Sequence, residues 1–154
     1  MKKLTMIFAV LAVMAGTSAF ASSGDKAPSG DKVSKTVQAA FQQGFAGAEN
    51  VTWETAEDFY FASFDLNGTS VNAAYNEKAE LVGVSRKLQL SEIPETVSKS
   101  LKSEYGDYEI SNTVTEVVYE GDTFYYATVK GITKTLKLKC FSDGQIYVEK
   151  KTKK

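Results

Sequence analysis

The sequence contains no histidine and one cysteine, Cys140, in 154 residues. Without imidazole there is no histidine base, no His–metal site and no Ser-His-Asp or Cys-His pair. A single cysteine excludes a disulfide within the chain and any Cys-cluster zinc or iron–sulfur site. Carboxylates, Lys, Tyr and Ser are what remain for catalysis. No catalytic motif is built from them, so the chain reads as non-enzymatic, with no cofactor and no metal. A long apolar run is lacking too. Spanning a membrane takes ~20 apolar residues, and the most apolar stretch is short and broken by Thr5, Thr17 and Ser18.

What is present is a core. Hydrophobic residues make up 43% of the chain, and nine Phe, eight Tyr and one Trp can bury enough area to offset chain entropy. The length suits one ordinary globular domain and is too short for two large ones.

Met1–Ala21 carries Lys2 and Lys3, then an apolar stretch, then Ala19-Phe20-Ala21. That order is a secretory signal peptide with cleavage near Ala21. The expected location is periplasmic or secreted, and the processed chain spans no membrane. Residues 22–32, rich in Ser, Gly, Asp and Pro, read as a flexible lead. In an exported chain the unpaired Cys140 is expected to lie buried in a strand, where it is inert.

Charge is lopsided. Residues 22–129 hold 8 basic and 17 acidic residues, whereas residues 130–154 hold 8 basic and 2 acidic. Lys150, Lys151, Lys153 and Lys154 read as a solvated tail, with residues 151–154 outside the fold. An acidic bulk on an exported chain argues against nucleic-acid binding.

A phrase recurs along the chain. Val33, Val37, Ala40 and Phe41 mark one face of a helix. Sixty-four residues on, Val97–Tyr105 aligns with Val33–Phe41 without a gap. Pro94 suits the first turn of this second helix. Phe59–Phe64 then matches Phe124–Val129 at an offset of 65, with Ala62 opposite Ala127. An internal duplication follows, with repeats at 33–92 and 93–150. Asn67-Gly68 and Asp143-Gly144 suit type I′ hairpin turns; Glu120-Gly121-Asp122 and Asn76-Glu77-Lys78 are weaker turn signals. Between the turns lie strand-like runs at 50–55, 58–66, 69–76 and 79–89, then 108–119, 122–130, 133–141 and 144–150. The expected fold is α+β: two tandem units, each one helix on a four-stranded antiparallel sheet, joined as one continuous eight-stranded sheet.

Val37-x-x-Ala40-Phe41, Phe45-Ala-Gly-Ala48, Val51-Thr-Trp53-Glu54 and Tyr60-x-Ala62-x-Phe64 together resemble the PepSY-like exported proteins of Gram-negative bacteria. Ile93-Pro94-x-x-Val97 resembles that family's second helix start. The chain departs at Ala46, where the pattern has Pro, and its second unit lacks the Trp-Glu element. The resemblance implies a fold like that of the beta-lactamase inhibitory protein. It also implies a non-enzymatic binding protein that inhibits an envelope or secreted enzyme through an open sheet face. It carries no catalytic motif.

Strand alternation locates that face. Tyr60, Ala62 and Phe64 are assigned to the helix side, where small Ala leaves room for packing. Phe59, Phe61, Phe124 and Tyr126 then project from the other side as an exposed aromatic patch, the candidate partner-binding residues. The alternative reading is a small-ligand or glycan-binding module using the same rings. Glu57 with Asp58, Glu120 with Asp122, and Asp65-x-Asn67-Gly68 all fall in turns and read as turn chemistry rather than acid–base or calcium sites. Trp53 reads as a core anchor. The oligomeric state stays open.

Overall fold

The computed structural model describes residues 33–153. The expected signal peptide, the lead and Lys154 lie outside the described residues. The fold is α+β, with two helices and nine strands among the described residues, and the strand pairings are antiparallel. The chain divides into two compact units, the first running to Arg86 and the second from Lys87.

The first unit opens with α1 (Lys35–Gly44). Ser34 caps it in extended conformation, its hydroxyl accepting the Val37 N–H at 3.2 Å. Val37 and Phe41, one turn apart, are the buried stripe. The helix ends where the Phe45 N–H donates to the Phe41 carbonyl. Then follow β1 (Glu49–Ala56), β2 (Phe59–Leu66), β3 (Thr69–Asn76) and β4 (Leu81–Gln89) as a meander. The helix packs on Ala62, Phe64, Val71, Ala73 and Tyr75. Ala62 and Ala73 pair directly across β2 and β3, and their small side chains let the helix lie close.

The second unit opens with α2 (Glu95–Glu104). Pro94 is its cap rather than its first-turn residue, at φ −52° and ψ 140°. Glu95 in the first turn and Lys102 in the last complement the helix dipole. Val97 and Leu101 bury against Val114, Tyr125, Ala127, Val129, Leu136, Leu138 and Cys140. The Thr96 hydroxyl donates to the Ser142 carbonyl at 3.0 Å, tying the helix to a hairpin turn.

Nine strands, not eight, are present because the run at 108–119 splits into β5 (Glu109–Ile110) and β6 (Thr113–Tyr119). Both pair with β7 (Asp122–Lys130), which continues to β8 (Lys134–Phe141) and β9 (Ile146–Lys153). Ile110 faces Val129 and Thr115 faces Tyr126, so five steps on one strand oppose three on the other. The surplus leaves the ladder, and the Asn112 carbonyl accepts the Leu90 N–H instead. The basic end does not fray as expected: β9, its lysines exposed, stays paired through Lys153, which sits opposite Lys134.

Turn chemistry divides in two. Asn67-Gly68 and Glu120-Gly121 have φ of 52° and 76°, and 50° and 89°, the two positive values of a type I′ turn. At Asp143-Gly144 only the glycine is left-handed, at 91°. The Gly144 N–H donates to the Phe141 carbonyl and the Gln145 N–H to Asp143 Oδ1. That is a type I turn closed by a left-handed glycine, which corrects the expected I′ turn. A side chain on Gly144 would also start 2.7 Å from Ser100 Oγ. Glu120, like Glu57 at φ 51°, is a strained position, since a long side chain at positive φ costs more than Asn does. Glu120→Asn relieves that strain but loses the 3.2 Å hydrogen bond from the Tyr119 hydroxyl to Glu120 Oε1, so stability is expected to rise by no more than about 0.5 kcal/mol, read as a higher urea midpoint at unchanged slope.

Candidate functional site

Each unit has one sheet face turned away from its own helix. On the first unit that face carries Thr52 and Glu54 of β1, Phe59, Phe61 and Ser63 of β2, and Asn72 of β3. The helix-side assignment of Tyr60, Ala62 and Phe64 agrees with the core around α1. A polar row crosses the far face. Ser63 Oγ donates to Asn72 Oδ1 at 2.7 Å, and Asn72 Nδ2 reaches Ser85 Oγ at 3.4 Å. Asn72 and Ser85 are buried, so this row satisfies polar atoms that burial would otherwise penalise. It went unread in the sequence, although polar residues at alternate strand positions were its signal.

The exposed aromatic patch is not there. Phe61, Phe124 and Tyr126 are only 2%, 7% and 6% exposed, and Phe59 is half-buried, its ring 6.5 Å from Phe61. On the second unit two lysines of β8 stand over these rings. Lys139 Nζ lies 4.0 Å from the Phe124 ring centroid and 5.3 Å from that of Phe141; Lys137 Nζ lies 5.2 Å from that of Tyr126. Their ammonium groups sit over the ring faces. Phe141 continues edge-on to Phe124 and to Tyr147, which is 57% exposed. The face is therefore a lysine-capped aromatic surface.

Its electrostatics follow. Burial pushes the Tyr126 hydroxyl up to about 12, with the Glu149 charge adding to the shift. Burial pulls Lys137 down, opposed by Glu149 and aided by Lys150. On the helix side, burial pushes the Cys140 thiol up to about 12, with Glu104 adding. Cys140 is fully buried in β8, as an inert structural cysteine should be. Native protein is therefore expected to resist iodoacetamide at pH 8 and to be alkylated only once unfolded, read by mass spectrometry.

Glu57 and Asp58 form the β1–β2 turn, and Glu120 lies in the turn before Asp122. Asp65 accepts from Asn50 Nδ2 at 2.9 Å. Among the described residues no three His, Cys, Asp or Glu side chains cluster as a metal site. No helix among them is long and apolar enough to cross a membrane.

Trp53 packs edge-on against Phe41 at 5.2 Å, part of the first core. It also lines a cavity of about 470 Å³ between α1 and β1, bounded by Gln38, Gln42, Phe45, Ala48 and Val51. This groove had no sequence signal, because it depends on where the helix end sits relative to the first strand.

With this geometry in place, the chain is similar in fold to several solved proteins of Bacteroides. A BLIP-like protein from Bacteroides fragilis superposes with a TM-score of 0.67 at 21% identity, over 79% of this chain and 87% of that one. A DUF2874 family protein from Bacteroides uniformis gives 0.67 at 21% identity, over 78% and 88%. A protein from Bacteroides eggerthii, described provisionally as periplasmic, gives 0.68 at 20% identity, over 78% and 88%. No family model matches the sequence, and none of the curated proteins matches it significantly. The architecture is thus BLIP-like.

Proposed function

We propose that this chain is a non-enzymatic exported protein, periplasmic or secreted after cleavage near Ala21, that binds another protein and inhibits an envelope or secreted enzyme. The binding surface is the helix-free sheet face of the second unit, with Phe124 and Tyr126 as its aromatic framework; Phe59 and Phe61 take the same positions on the first unit's own helix-free face. One observation carries the reading: Lys137 and Lys139 sit over Tyr126, Phe124 and Phe141 on a face that no helix of its own unit covers. Buried rings hold the lysines in place, and the ammonium groups offer charge to an acidic partner surface. The BLIP-like fold, the signal-type start and the missing catalytic inventory agree with it. So does a PepSY-like origin by duplication of 33–92 and 93–150. The glycan alternative is weaker, because the ring faces on which a sugar would stack already carry ammonium groups.

Lys137→Glu with Lys139→Glu, its fold first confirmed by circular dichroism, tests this. A protein captured from envelope extract by the parent and lost by the double variant is the expected result, and adding the parent should lower that protein's enzymatic activity. Equal capture by parent and variant would remove the face from consideration.

A further inference from the structure

We propose a second binding site: the groove between α1 and the outer edge of β1 takes an extended, alternating basic–apolar peptide segment by strand addition. β1 pairs only with β2 among the described residues, so its outer row of N–H and C=O groups has no strand partner there. Such an edge is a template for a further strand. The shift in register is confined to Glu49–Thr52, where Asn50 has a φ of 53°; from Thr52 to Ala56 the pairing is unbroken. The regular part of the edge is the part beside the cavity.

Side chains of an added strand alternate between the two sheet faces. On the helix side of β1 the neighbours are Val51 and Trp53, with Phe45 and Ala48 beyond them. Val51 is 37% exposed and Trp53 half-buried. That pocket takes an apolar side chain, and the Gln38 and Gln42 amides stand at its rim. On the opposite side of β1 stands Glu54, with Glu57 in the adjoining turn. The sign of the partner follows from the surrounding sequence. From Thr36 to Glu77 there is no Lys or Arg, whereas Glu49, Glu54, Glu57, Asp58, Asp65 and Glu77 are acidic. A segment with apolar residues on one face and lysines on the other matches both sides of the edge.

Trp53 is the only tryptophan, so its emission reports this groove directly. The probe is a capped heptapeptide, Lys-Val-Lys-Phe-Lys-Val-Lys, titrated into the full mature chain. The expected result is a saturable change in Trp53 emission, with slowed amide exchange over 52–56. Binding should be lost when Glu replaces every Lys, and weakened about tenfold by Glu54→Lys, an exposed site where folding is not at stake. Of two peptides N-methylated at alternate residues, one should fail, because only one row of N–H groups faces β1. No saturable emission change, equal binding of the Glu peptide, equal binding of both N-methyl peptides, or protection confined to β9 would each overturn the proposal. So would an emission change that follows protein concentration without peptide, since it would give the edge to a second copy. None of these outcomes depends on Lys137 or Lys139, so the two sites succeed or fail separately.

Discussion

Replacing Phe41 with alanine is expected to remove about 3–5 kcal/mol of folding free energy. Phe41 is 5% exposed, and its ring lies 5.6 Å from Phe45, 5.2 Å from Trp53 and 5.0 Å from Phe64. Truncation loses the transfer energy of the ring and leaves a cavity bounded by three rigid aromatics that relax little. The two edge-on pairs, with Trp53 and Phe64, add to the loss beyond area alone. Set against a typical total of about 5–15 kcal/mol, this one change brings the chain close to unfolding. Phe41→Leu refills part of the space and should cost less than half as much. Urea titration followed by Trp53 emission reads both variants, because the indole touches the altered site. A loss below about 1 kcal/mol for Phe41→Ala would mean that the α1 contact with the sheet is not the organising contact of the first core. Disruption of the Glu95–Lys99 pair supplies the contrast. It spans i to i+4 at 2.8 Å with both side chains mostly exposed, so Lys99→Ala should shift stability by no more than about 0.5 kcal/mol.

The elements were legible in the sequence because their signals are local. A dipeptide such as Asn67-Gly68 announces a left-handed pair on its own, and β2 and β3 begin and end within a residue of the expected limits. The helix-facing side was legible for the same reason. Alternation places Ala62 and Phe64 on one side, and the small residue says which side must admit a helix. The split between β5 and β6 was not legible, since it arises from a mismatch in residue count between two strands that only their register reveals. Nor was the turn type at Asp143-Gly144, where the Asp143 carboxylate accepts a backbone N–H and a type I turn results.

The state of the aromatic face shows the same limit at the site. Phe124 and Tyr126 do point away from the helix, as period-two alternation requires. Lys137 and Lys139 reach them across the β7–β8 ladder, where Tyr126 pairs with Lys139 and Thr128 with Lys137. Lysines at alternate positions of 134–141 read as the polar side of a strand. Only the register shows that their ammonium groups stand over rings. The sequence thus gives the facing direction of these rings and misses their burial, and an aromatic-to-Ser variant of this face would test folding rather than binding.

Alkali is expected to destabilise the chain steeply from about pH 9. Burial holds the Cys140 thiol at about 12 in the folded state, against an ordinary value near 9.0, and the Tyr126 hydroxyl at about 12 against 10.0. Both groups are neutral when protonated. Between the unfolded and folded values the native chain keeps a proton that the unfolded chain has lost, so stability is level below about pH 9 and falls above it. One group gives a slope of about 1.4 kcal/mol per pH unit from 9 to 10, and both together give about twice that above 10. The combined loss by pH 11 is on the order of a few kcal/mol once solvent screening is allowed for. Tyr75, Tyr105 and Tyr119 are raised by burial and act in the same direction. Lys137 acts the other way, because its lowered value makes the unfolded chain the better proton binder just below 10.5. Urea midpoints at pH 7, 9, 10 and 11 give the profile, and two variants assign it. Cys140→Ala should lower stability at pH 7 yet flatten the fall between 9 and 10, whereas Tyr126→Phe should leave that step and soften the fall above 10. If Cys140→Ala keeps the full slope between 9 and 10, the buried thiol is not what makes this fold sensitive to base.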